Sequence, residues 1–395
     1  MTHFQDVSTI HNKGGARRRA LFLINGEHYA GAERVQDLLA CQLPAFGWEV
    51  DFACLKPGAF ATSREAKGSR VIDLPMRSRF DVRQVREVSR LLGRGYDLLH
   101  THTVRSALIG SLASWQAGKP MVHHVHGRTD RNTESPLRDR VNSTIERMSL
   151  RHALRLIAVS GHTAEHLRRL GHADARIRTV PNGVPCVSGV REWQPPGRDA
   201  WVIGMAALFR PLKGLDVLVE AMARLHAMGM CVHLRAIGEF ESEEYRRQIL
   251  GLVAERGLAG YVHWTGFTRD VMGELAKVDA LVLPSLYGEG LPMVVIEAMA
   301  AGLPVIASAS EGIHEALDEG RAGVLVPPGN AEALAQGLAE LIAHPQRARS
   351  LACTGLQRQR DHYSDVAMAR QVAQVYREIC MKTAQPGTIA EERPA

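Results

Sequence analysis

The 395-residue chain is too long for one ordinary hydrophobic core, and its 45% hydrophobic and 23% charged residues are typical of a globular protein, so we expect two domains. No stretch approaches the run of about 20 apolar residues that a membrane helix needs, and the N-terminal segment lacks the pattern of a secretory signal. The formal net charge is +6, and six scattered cysteines without a CxxC pair favour reduced thiols in a cytoplasmic protein.

The first half of the chain alternates short apolar runs with amphipathic stretches. After a flexible polar tail over 1–18, strands are predicted for ALFLIN, EVDFACL, VIDLP, DLLHTH, PMVHHVHG and RLIAVS. Helices are predicted for GAERVQDLLACQLPAFG, VRQVREVSRLLGRG and STIERMSLRHA. This alternation is typical of a parallel sheet covered on both faces, so we predict an N-terminal Rossmann-like domain over 19–185.

The alternation stops in PNGVPCVSGVREWQPPGRD and then resumes. That stretch holds four prolines and three glycines, which predicts a linker over 186–199. The second domain, over 200–361, has predicted strands in WVIGMAAL, VHLRAIG, VHWTGF, DALVLPS and PVIAS. Its predicted helices are LDVLVEAMARLHAMG, YRRQILGLVAERG, VMGELAKV, PMVVIEAMAAG and NAEALAQGLAELIAHP. A helix over 362–382 and a flexible tail over 383–395 follow.

Two doubly wound α/β domains facing across a cleft are therefore expected, with ligands at the carboxyl ends of the strands. One such end is the start of LPSLYGEGLPMVVIEAMAAGLPVIAS, where a glycine-rich loop leads into a helix. Pro292 suits the first helical position because its missing N–H would be unpaired there, and Gly302 suits the C-terminal cap.

Two glutamates in this stretch, eight residues apart, are candidate ligand contacts. Glu289 lies in the loop and Glu297 about two turns into the helix, and both can accept hydrogen bonds from sugar hydroxyls, one from a hexose and one from a ribose. The amides near Gly290, Leu291 and Met293 form a predicted anion site at the helix N-terminus.

A second group lies in GMAALFRPLKGLD, at the end of the first strand of the second domain. Arg210 and Lys213 stand three residues apart just before a helix, which suits a diphosphate. A cation pair of this kind is also common as a solvated loop. In the first domain, INGEHYAGAERV places Gly31 at a strand end where backbone can approach a ligand closely, but the dinucleotide fingerprint GxGxxG is absent.

Five histidines follow two adjacent predicted strands: His100, His102, His123, His124 and His126. On a strand His124 and His126 share one face, and His123 points to the other. Neither cysteine nor carboxylate completes a familiar ligand spacing, so no metal site is predicted. We expect His126 to reach a sugar hydroxyl and the others to be buried and satisfied by backbone groups.

With these motifs the chain resembles the retaining glycosyltransferases of family 4, the glycosyl transferases group 1, which have the GT-B fold. The resemblance covers roughly residues 20–380 and rests on GAERV, DLLHTH, HVHG, AVS, PNGV, PLKGLD, WTGF and the E-x7-E pattern of PSLYGEGLPMVVIEAMAAGLPVIAS. It implies transfer of a sugar from a nucleotide-diphosphate sugar with retained configuration. It also implies no cofactor, no required metal, and a final helix that crosses back to the N-terminal domain.

The resemblance also implies roles for single residues of the second domain. Arg210 and Lys213 are similar to the family's diphosphate clamp, and Glu297 to its ribose ligand. Glu289, with the amides of Gly290 to Met293, is similar to the donor-sugar reader.

On the N-terminal side, the resemblance makes His126 the histidine near the reactive end of the donor sugar and Gly31 the glycine near the phosphates. Ala30 departs from the family, which commonly has a second glycine there, and its methyl group is expected to crowd the donor or the acceptor. A sugar-nucleotide 2-epimerase of the same fold and a catalytically inactive GT-B partner protein are the alternatives.

Charge is distributed unevenly along the chain. Residues 1–195 hold 29 Lys and Arg against 18 Asp and Glu, a balance of +11 that predicts an anionic partner. The arginines form no recognisable nucleic-acid-binding motif, so nucleic acid is not the expected partner. The expected partner is an anionic membrane surface that carries a lipid-linked glycan acceptor. Arg83, Arg86 and Arg90, at helical spacing, would face its head groups. The alternative is a solvated basic face.

Overall fold

The computed structural model describes residues 17–78, 81–127, 147–190, 192–197 and 200–384. The predicted tails lie outside these residues, except for their ends nearest the fold. The first four residues of the helix predicted for STIERMSLRHA, 143–146, also lie outside them; of its described residues, 147–149 are helical and 150–153 are not.

The N-terminal domain is built on a parallel sheet of seven strands with the order β3-β2-β1-β4-β5-β6-β7. Ala20 to Ile24 in the central strand β1 are all fully buried, because a parallel sheet is covered on both faces and its strands read as continuous apolar runs. The strands are β1 (Arg18–Ile24), β2 (Trp48–Cys54), β3 (Val71–Asp73), β4 (Leu98–Thr101), β5 (Met121–Val125), β6 (Arg155–Ala158) and β7 (Ile177–Thr179).

Helices connect these strands. They are α1 (Gly31–Gln42), α2 (Ala59–Ser63), α3 (Arg83–Leu92), α4 (Val104–Ala117) and α5 (Gly161–Arg169). The first helical segment stops at Gly47, as predicted, where a φ of 87° favours glycine; its last part, Leu43–Phe46, is a 3-10 turn that was not predicted. Helix α4 was not predicted, although a capping box fixes its start: the Ser106 amide donates to Thr103 Oγ1 (3.2 Å) and the Thr103 amide to Ser106 Oγ (2.9 Å).

The C-terminal domain has a six-stranded parallel sheet with the order β10-β9-β8-β11-β12-β13. Its strands are β8 (Trp201–Ala206), β9 (Val232–Ile237), β10 (Val262–Gly266), β11 (Ala280–Leu283), β12 (Val305–Ser308) and β13 (Val324–Val326). Its helices are α6 (Leu215–Ala227), α7 (Glu243–Glu255), α8 (Val271–Leu275), α9 (Met293–Ala300), α10 (Glu311–Ala316), α11 (Ala331–Ala343) and α12 (Pro345–His362).

The final helix, α13 (Asp365–Ala384), packs on the N-terminal domain, as the resemblance implied. The Tyr376 ring lies against Trp48 with centroids 4.9 Å apart, and its hydroxyl is 2.5 Å from His100 Nδ1. Gln42 Nε2 donates to Asp365 Oδ2 at 2.8 Å. These contacts tie the end of the chain to its first half.

In each sheet the strand order reverses beside the first strand, between β1 and β4 and between β8 and β11. Ligands of doubly wound sheets bind at such switch points, at the carboxyl ends of the strands. The fold is therefore the predicted pair of Rossmann-like domains. The exact boundaries of the domains stay predictions. Across the described ranges, no helix is both long and apolar enough to cross a membrane.

Candidate active site

The loop after β11 and the start of α9 lie at the switch point of the C-terminal sheet. Pro292 is the N-cap of α9 rather than its first helical residue, so the helix starts one position later than predicted. Gly302, at φ 70°, ends it as expected. Both glutamates of the stretch are buried: Glu289 is 5% exposed and Glu297 2%.

Lys213 and Glu289 form an ion pair, with Nζ 2.5 Å from Oε1. Ser285 Oγ donates to the same oxygen at 2.6 Å. The pairing depends on Gly214, which has φ 68° and lies so close to the Pro284 carbonyl that a Cβ there would overlap it. The sequence reasoning assigned Lys213 and Glu289 to one ligand but did not foresee this direct contact.

Arg210 lies at the other end of the same short segment, as the N-cap of the 3-10 turn Pro211–Lys213. Its guanidinium is 3.6 Å from Glu241, and its Nε is buried with no partner among the described residues. A buried donor without an acceptor lowers stability unless a ligand satisfies it. Arg210 and Lys213 thus stand at the two ends of one short turn, and their binding of a single anion stays a prediction.

Glu297 is paired with Arg34, which extends from α1 in the N-terminal domain. Burial raises the pKa of Glu297, and the positive charge of Arg34 opposes the rise. Sequence reasoning missed Arg34, although the motif GAERV contains it. Its position three residues after Gly31 puts both residues on one face of α1, and that spacing was the available signal.

Gly31 lies opposite the start of α9: a Cβ on it would be 3.8 Å from Met293 Cγ. The start of α1 and the start of α9 therefore face each other across the cleft. Ala30 is exposed and adopts φ −116°, a conformation open to any residue, so the missing glycine causes no backbone strain.

The two domains touch where the loop before α9 meets the end of β5. A Cβ on Gly290 would overlap the His126 carbonyl oxygen, so only glycine permits this approach. Asn182 Nδ2 donates to the Leu291 carbonyl at 2.9 Å. The buried residues Gly290 and Leu291 are thereby fixed against the N-terminal domain.

His126 lies at this junction and contacts a neighbouring histidine: its Nε2 is 3.1 Å from His102 Nδ1. Burial lowers the pKa of His126 to about 4, so the ring is neutral at physiological pH. The predicted face alternation is correct. The His124 and His126 rings stack with centroids 4.5 Å apart, and His123 contacts Thr101 Oγ1 at 2.7 Å instead.

The other histidines of the group are buried as expected, but the expectation that backbone groups satisfy them is wrong for His100, His102 and His124. Their ring nitrogens contact other side chains or, among the described residues, nothing.

Two facing Rossmann-like domains, with a cation-bearing loop and a glutamate-bearing helix on the second, define a GT-B architecture. Residues 30–183 match the model described as "Glycosyl transferase 4-like domain", and residues 200–344 match "Glycosyl transferases group 1". The chain belongs to the group 1 glycosyltransferases.

Two individual relatives are also named as glycosyltransferases. WcaL of Salmonella typhimurium, named for colanic acid biosynthesis, is 32% identical over 193 residues, about half of each chain (47%). The phosphatidyl-myo-inositol mannosyltransferase of Mycobacterium leprae is 28% identical over 73% of this chain and 75% of its own. The solved structure of Anabaena HepE with UDP and glucose aligns with a TM-score of 0.80 at 22% identity, covering 91% of this chain and all of that one, and supports the fold.

Proposed function

We propose that this protein is a retaining glycosyltransferase that moves a sugar from a nucleotide-diphosphate sugar to an acceptor held by the N-terminal domain. The observation that carries the proposal is the convergence of Lys213, Glu289 and the start of α9 beside His126, with Glu297 on the same helix. Cations, buried carboxylates and free helix amides then line one cleft, as a charged, hydroxyl-rich donor requires.

The clamp would hold the donor's diphosphate. The Nε of Arg210 has no hydrogen-bonding partner among the described residues and can donate to a phosphate oxygen. The ammonium group of Lys213 is paired with Glu289 and can also pair with a phosphate oxygen. The amides of Gly290, Leu291 and Met293 add donors at the N-terminus of an eight-residue helix. Gly31, opposite Met293, leaves room for the phosphates because it has no side chain.

The carboxylates would bind hydroxyl groups. Glu297 accepts hydrogen bonds from the ribose, and Glu289 accepts them from the donor sugar, whose reactive end lies toward His126. A neutral His126 suits this position, because an imidazolium would repel the positive charge that develops on the anomeric carbon.

Catalysis then follows from charge. As the bond between the anomeric carbon and the diphosphate oxygen breaks, negative charge grows on the leaving phosphate, and Arg210, Lys213 and the helix amides stabilise it. The acceptor hydroxyl attacks from the same face and gives its proton to the departing phosphate oxygen, which retains the configuration. Since the two cations supply the counter-charge, no metal ion is needed for this step.

The acceptor would be a glycan, carried on a lipid at the cytoplasmic side of an anionic membrane. The supporting surface is formed by α3 and α4, which pack together. It exposes Arg86, and on α4 it exposes Leu112 and Trp115, the latter 62% exposed. An exposed tryptophan and an exposed arginine on two packed helices suit the head-group region of a bilayer.

The test is an assay of the purified full-length chain with UDP-, GDP- and ADP-sugars, in which slow donor hydrolysis and glycosyl transfer are followed by nucleotide release. We expect nucleotide release with one donor class, and none from Glu297→Gln. Conversion of the donor to its 2-epimer without transfer would indicate an epimerase. No binding of any nucleotide sugar in a thermal-shift screen would indicate an inactive partner protein.

A further inference from the structure

Three histidines form a buried cluster below the cleft of the N-terminal domain. His100 lies on β4, His102 just after it, and His124 on the adjacent β5. Each ring offers one nitrogen within 4.8 Å of the others, and the ring centroids are 4.2 to 5.5 Å apart. All three residues are buried. The reaction proposed above uses none of these rings.

The ring nitrogens of this cluster fall into two sets. His100 Nδ1 contacts the Tyr376 hydroxyl at 2.5 Å, and His102 Nδ1 contacts His126 Nε2 at 3.1 Å. The Nε2 atoms of His100 and His102 and both nitrogens of His124 are buried and have no partner in the described part of the chain. Buried polar atoms are nearly always paired, so these need a partner such as an ion or a solvent molecule.

This division is the one that metal-binding histidines show. A ligating imidazole usually binds the ion through one nitrogen and pairs the other with a neighbouring group that fixes its orientation. Tyr376 and His126 are such neighbours for His100 and His102. Burial also lowers the pKa of all three rings, which keeps them in the neutral form that a metal requires.

We propose that His100, His102 and His124 form a buried site for a late first-row divalent cation of the Zn²⁺ class. Three imidazoles without a carboxylate favour such an ion over Mg²⁺ or Ca²⁺, which prefer oxygen ligands. A solvent molecule would complete a tetrahedral shell. The ion would enter from the cleft past His126, which is only partly buried.

Binding would require a local rearrangement. Zn–N bonds of about 2.1 Å in a tetrahedron place the nitrogens about 3.4 Å apart. In the structure the candidate nitrogens of the three rings are separated by distances of up to 4.8 Å. The rings are inclined to one another by 0 to 32°, so they must also turn to direct their lone pairs at one point. The site is thus close to a metal-binding geometry without already having it.

The test measures metal content and ligands, so it does not depend on glycosyl transfer. Full-length protein is stripped with a chelator, equilibrated with Zn²⁺, dialysed and analysed for bound zinc, and its zinc X-ray absorption is recorded. The variant is His124→Phe. The matched control is His123→Phe, the same change on the same strand but on the opposite face of the sheet.

We expect one zinc per chain in the wild type and in His123→Phe, loss of that zinc in His124→Phe, and an absorption spectrum with about three imidazole ligands. Equal zinc in both variants, or a spectrum dominated by sulfur or by oxygen alone, would overturn the proposal. If His124→Phe does not fold, the zinc X-ray absorption spectrum of the wild type tests the proposal, together with the optical spectrum of the Co²⁺-substituted protein. Intense tetrahedral bands would support the site, and an octahedral aqua-like spectrum would contradict it.

Discussion

Arg34 and Glu297 form an ion pair across the interdomain cleft. The arginine side chain is 23% exposed and the carboxylate almost completely buried. Within the described residues, this is the ion pair that connects α1 directly to α9, the helix proposed to bind the donor. A ribose that engages Glu297 must therefore displace Arg34 or share the carboxylate with it. With the proposed role of Glu297, the pair would link donor binding to the relative position of the two domains.

This pairing predicts an energetic coupling between the two residues. Removing Arg34 leaves a buried carboxylate unpaired, so Arg34→Met should lower the free energy of unfolding by about 1–3 kcal/mol, less than the ~3–5 kcal/mol of a fully buried pair because Arg34 is partly exposed. Glu297→Gln removes the charge that needs a partner, so the double variant should lose less than the sum. Urea unfolding at pH 7 measures all three. Additivity within about 0.5 kcal/mol would mean that the contact carries no coupling.

The diphosphate clamp proposed for Arg210 and Lys213 gives the second prediction. Arg210→Ala or Lys213→Ala should each lower turnover at least about a hundredfold, because each removes a group that stabilises the charge of the leaving phosphate, an effect of ~2.7 kcal/mol or more. Arg224→Ala, an exposed arginine on α6 of the same domain, is the control and should keep wild-type turnover. Wild-type turnover in the Arg210→Ala, Lys213→Ala double variant would refute the assignment.

Lys213 needs one further control. Its side chain is only 17% exposed, and its loss leaves Glu289 with Ser285 as a hydrogen-bonding partner. Lys213→Ala should therefore be compared with Lys213→Ala, Glu289→Gln. If the loss of turnover in Lys213→Ala comes from misfolding around Glu289, this variant should unfold at a lower temperature than the wild type. The double variant, which has no unpaired carboxylate, should then unfold at the wild-type temperature.

The sequence predicted both sheets because buried parallel strands read as short apolar runs, and it predicted the start of α9 from proline, glycine and loop chemistry. It did not predict α4 or α5. The first is rich in alanine and serine and lacks a clear polar face, and the second is short and begins only two residues after its strand ends. The sequence also did not predict the strands β7 and β13, which have three residues each, too few to show a periodicity.

Contacts between distant segments were also beyond the sequence. The pair formed by Arg34 and Glu297 depends on how the domains approach, and the unpaired histidine nitrogens depend on ring orientation. Neither property is encoded in local spacing. Carboxylates and cations at strand ends could be assigned to a ligand, but their pairing with each other in the free protein could not.

Metal dependence gives the third prediction. Because Arg210, Lys213 and the helix amides are proposed to supply the counter-charge, glycosyl transfer should persist in excess EDTA. Initial rates with and without chelator, and after adding Mg²⁺, measure this. A complete loss that Mg²⁺ restores would show that the diphosphate is neutralised by a metal. A loss that only Zn²⁺ restores would instead point to the cluster of His100, His102 and His124.

The fourth prediction concerns the pH dependence of stability at Asp51 on β2. Burial raises the pKa of this carboxyl, but hydrogen bonds from Arg70, Tyr96 and Arg19, the last two at 2.7 Å, outweigh it and hold the pKa well below its usual value. A depressed carboxyl pKa stabilises the fold above the unfolded pKa of about 3.9, and the stabilisation is lost as the pH falls below that value.

Asp51→Asn should therefore lower the free energy of unfolding by about 1.5–3 kcal/mol at pH 7, the range for hydrogen bonds to a charged group. The difference from wild type should shrink as the pH falls below about 4, since the unfolded wild type then binds a proton that the folded form does not. Urea unfolding at pH 7, 5 and 3.5 measures it. A difference that is constant over this range would show that the charge of Asp51 contributes nothing.

The last prediction concerns the surface of α3 and α4. Two of the three arginines on α3 are already paired, Arg83 with Asp81 at 2.6 Å and Arg90 with Glu87 at 2.7 Å. The basic face is therefore weaker than the sequence indicated, and Arg86 is the exposed α3 arginine for which the described residues show no ion pair. Binding to a membrane should then depend on Arg86 together with Trp115, which we expect to insert at the head-group level.

We expect the full-length chain to co-sediment with vesicles that contain phosphatidylserine or phosphatidylglycerol, and not with neutral vesicles. An arginine near the surface contributes about 1 kcal/mol, so Arg86→Gln should weaken binding about fivefold, and salt above the physiological level, where the screening length is about 8 Å, should weaken it further. Trp115→Ala should lower affinity in a salt-independent way, because it removes apolar burial. Arg224→Gln, in the other domain, is the control. If the wild type does not sediment with anionic vesicles even at low salt, the acceptor is recognised from solution and the basic half steers an anionic soluble acceptor instead.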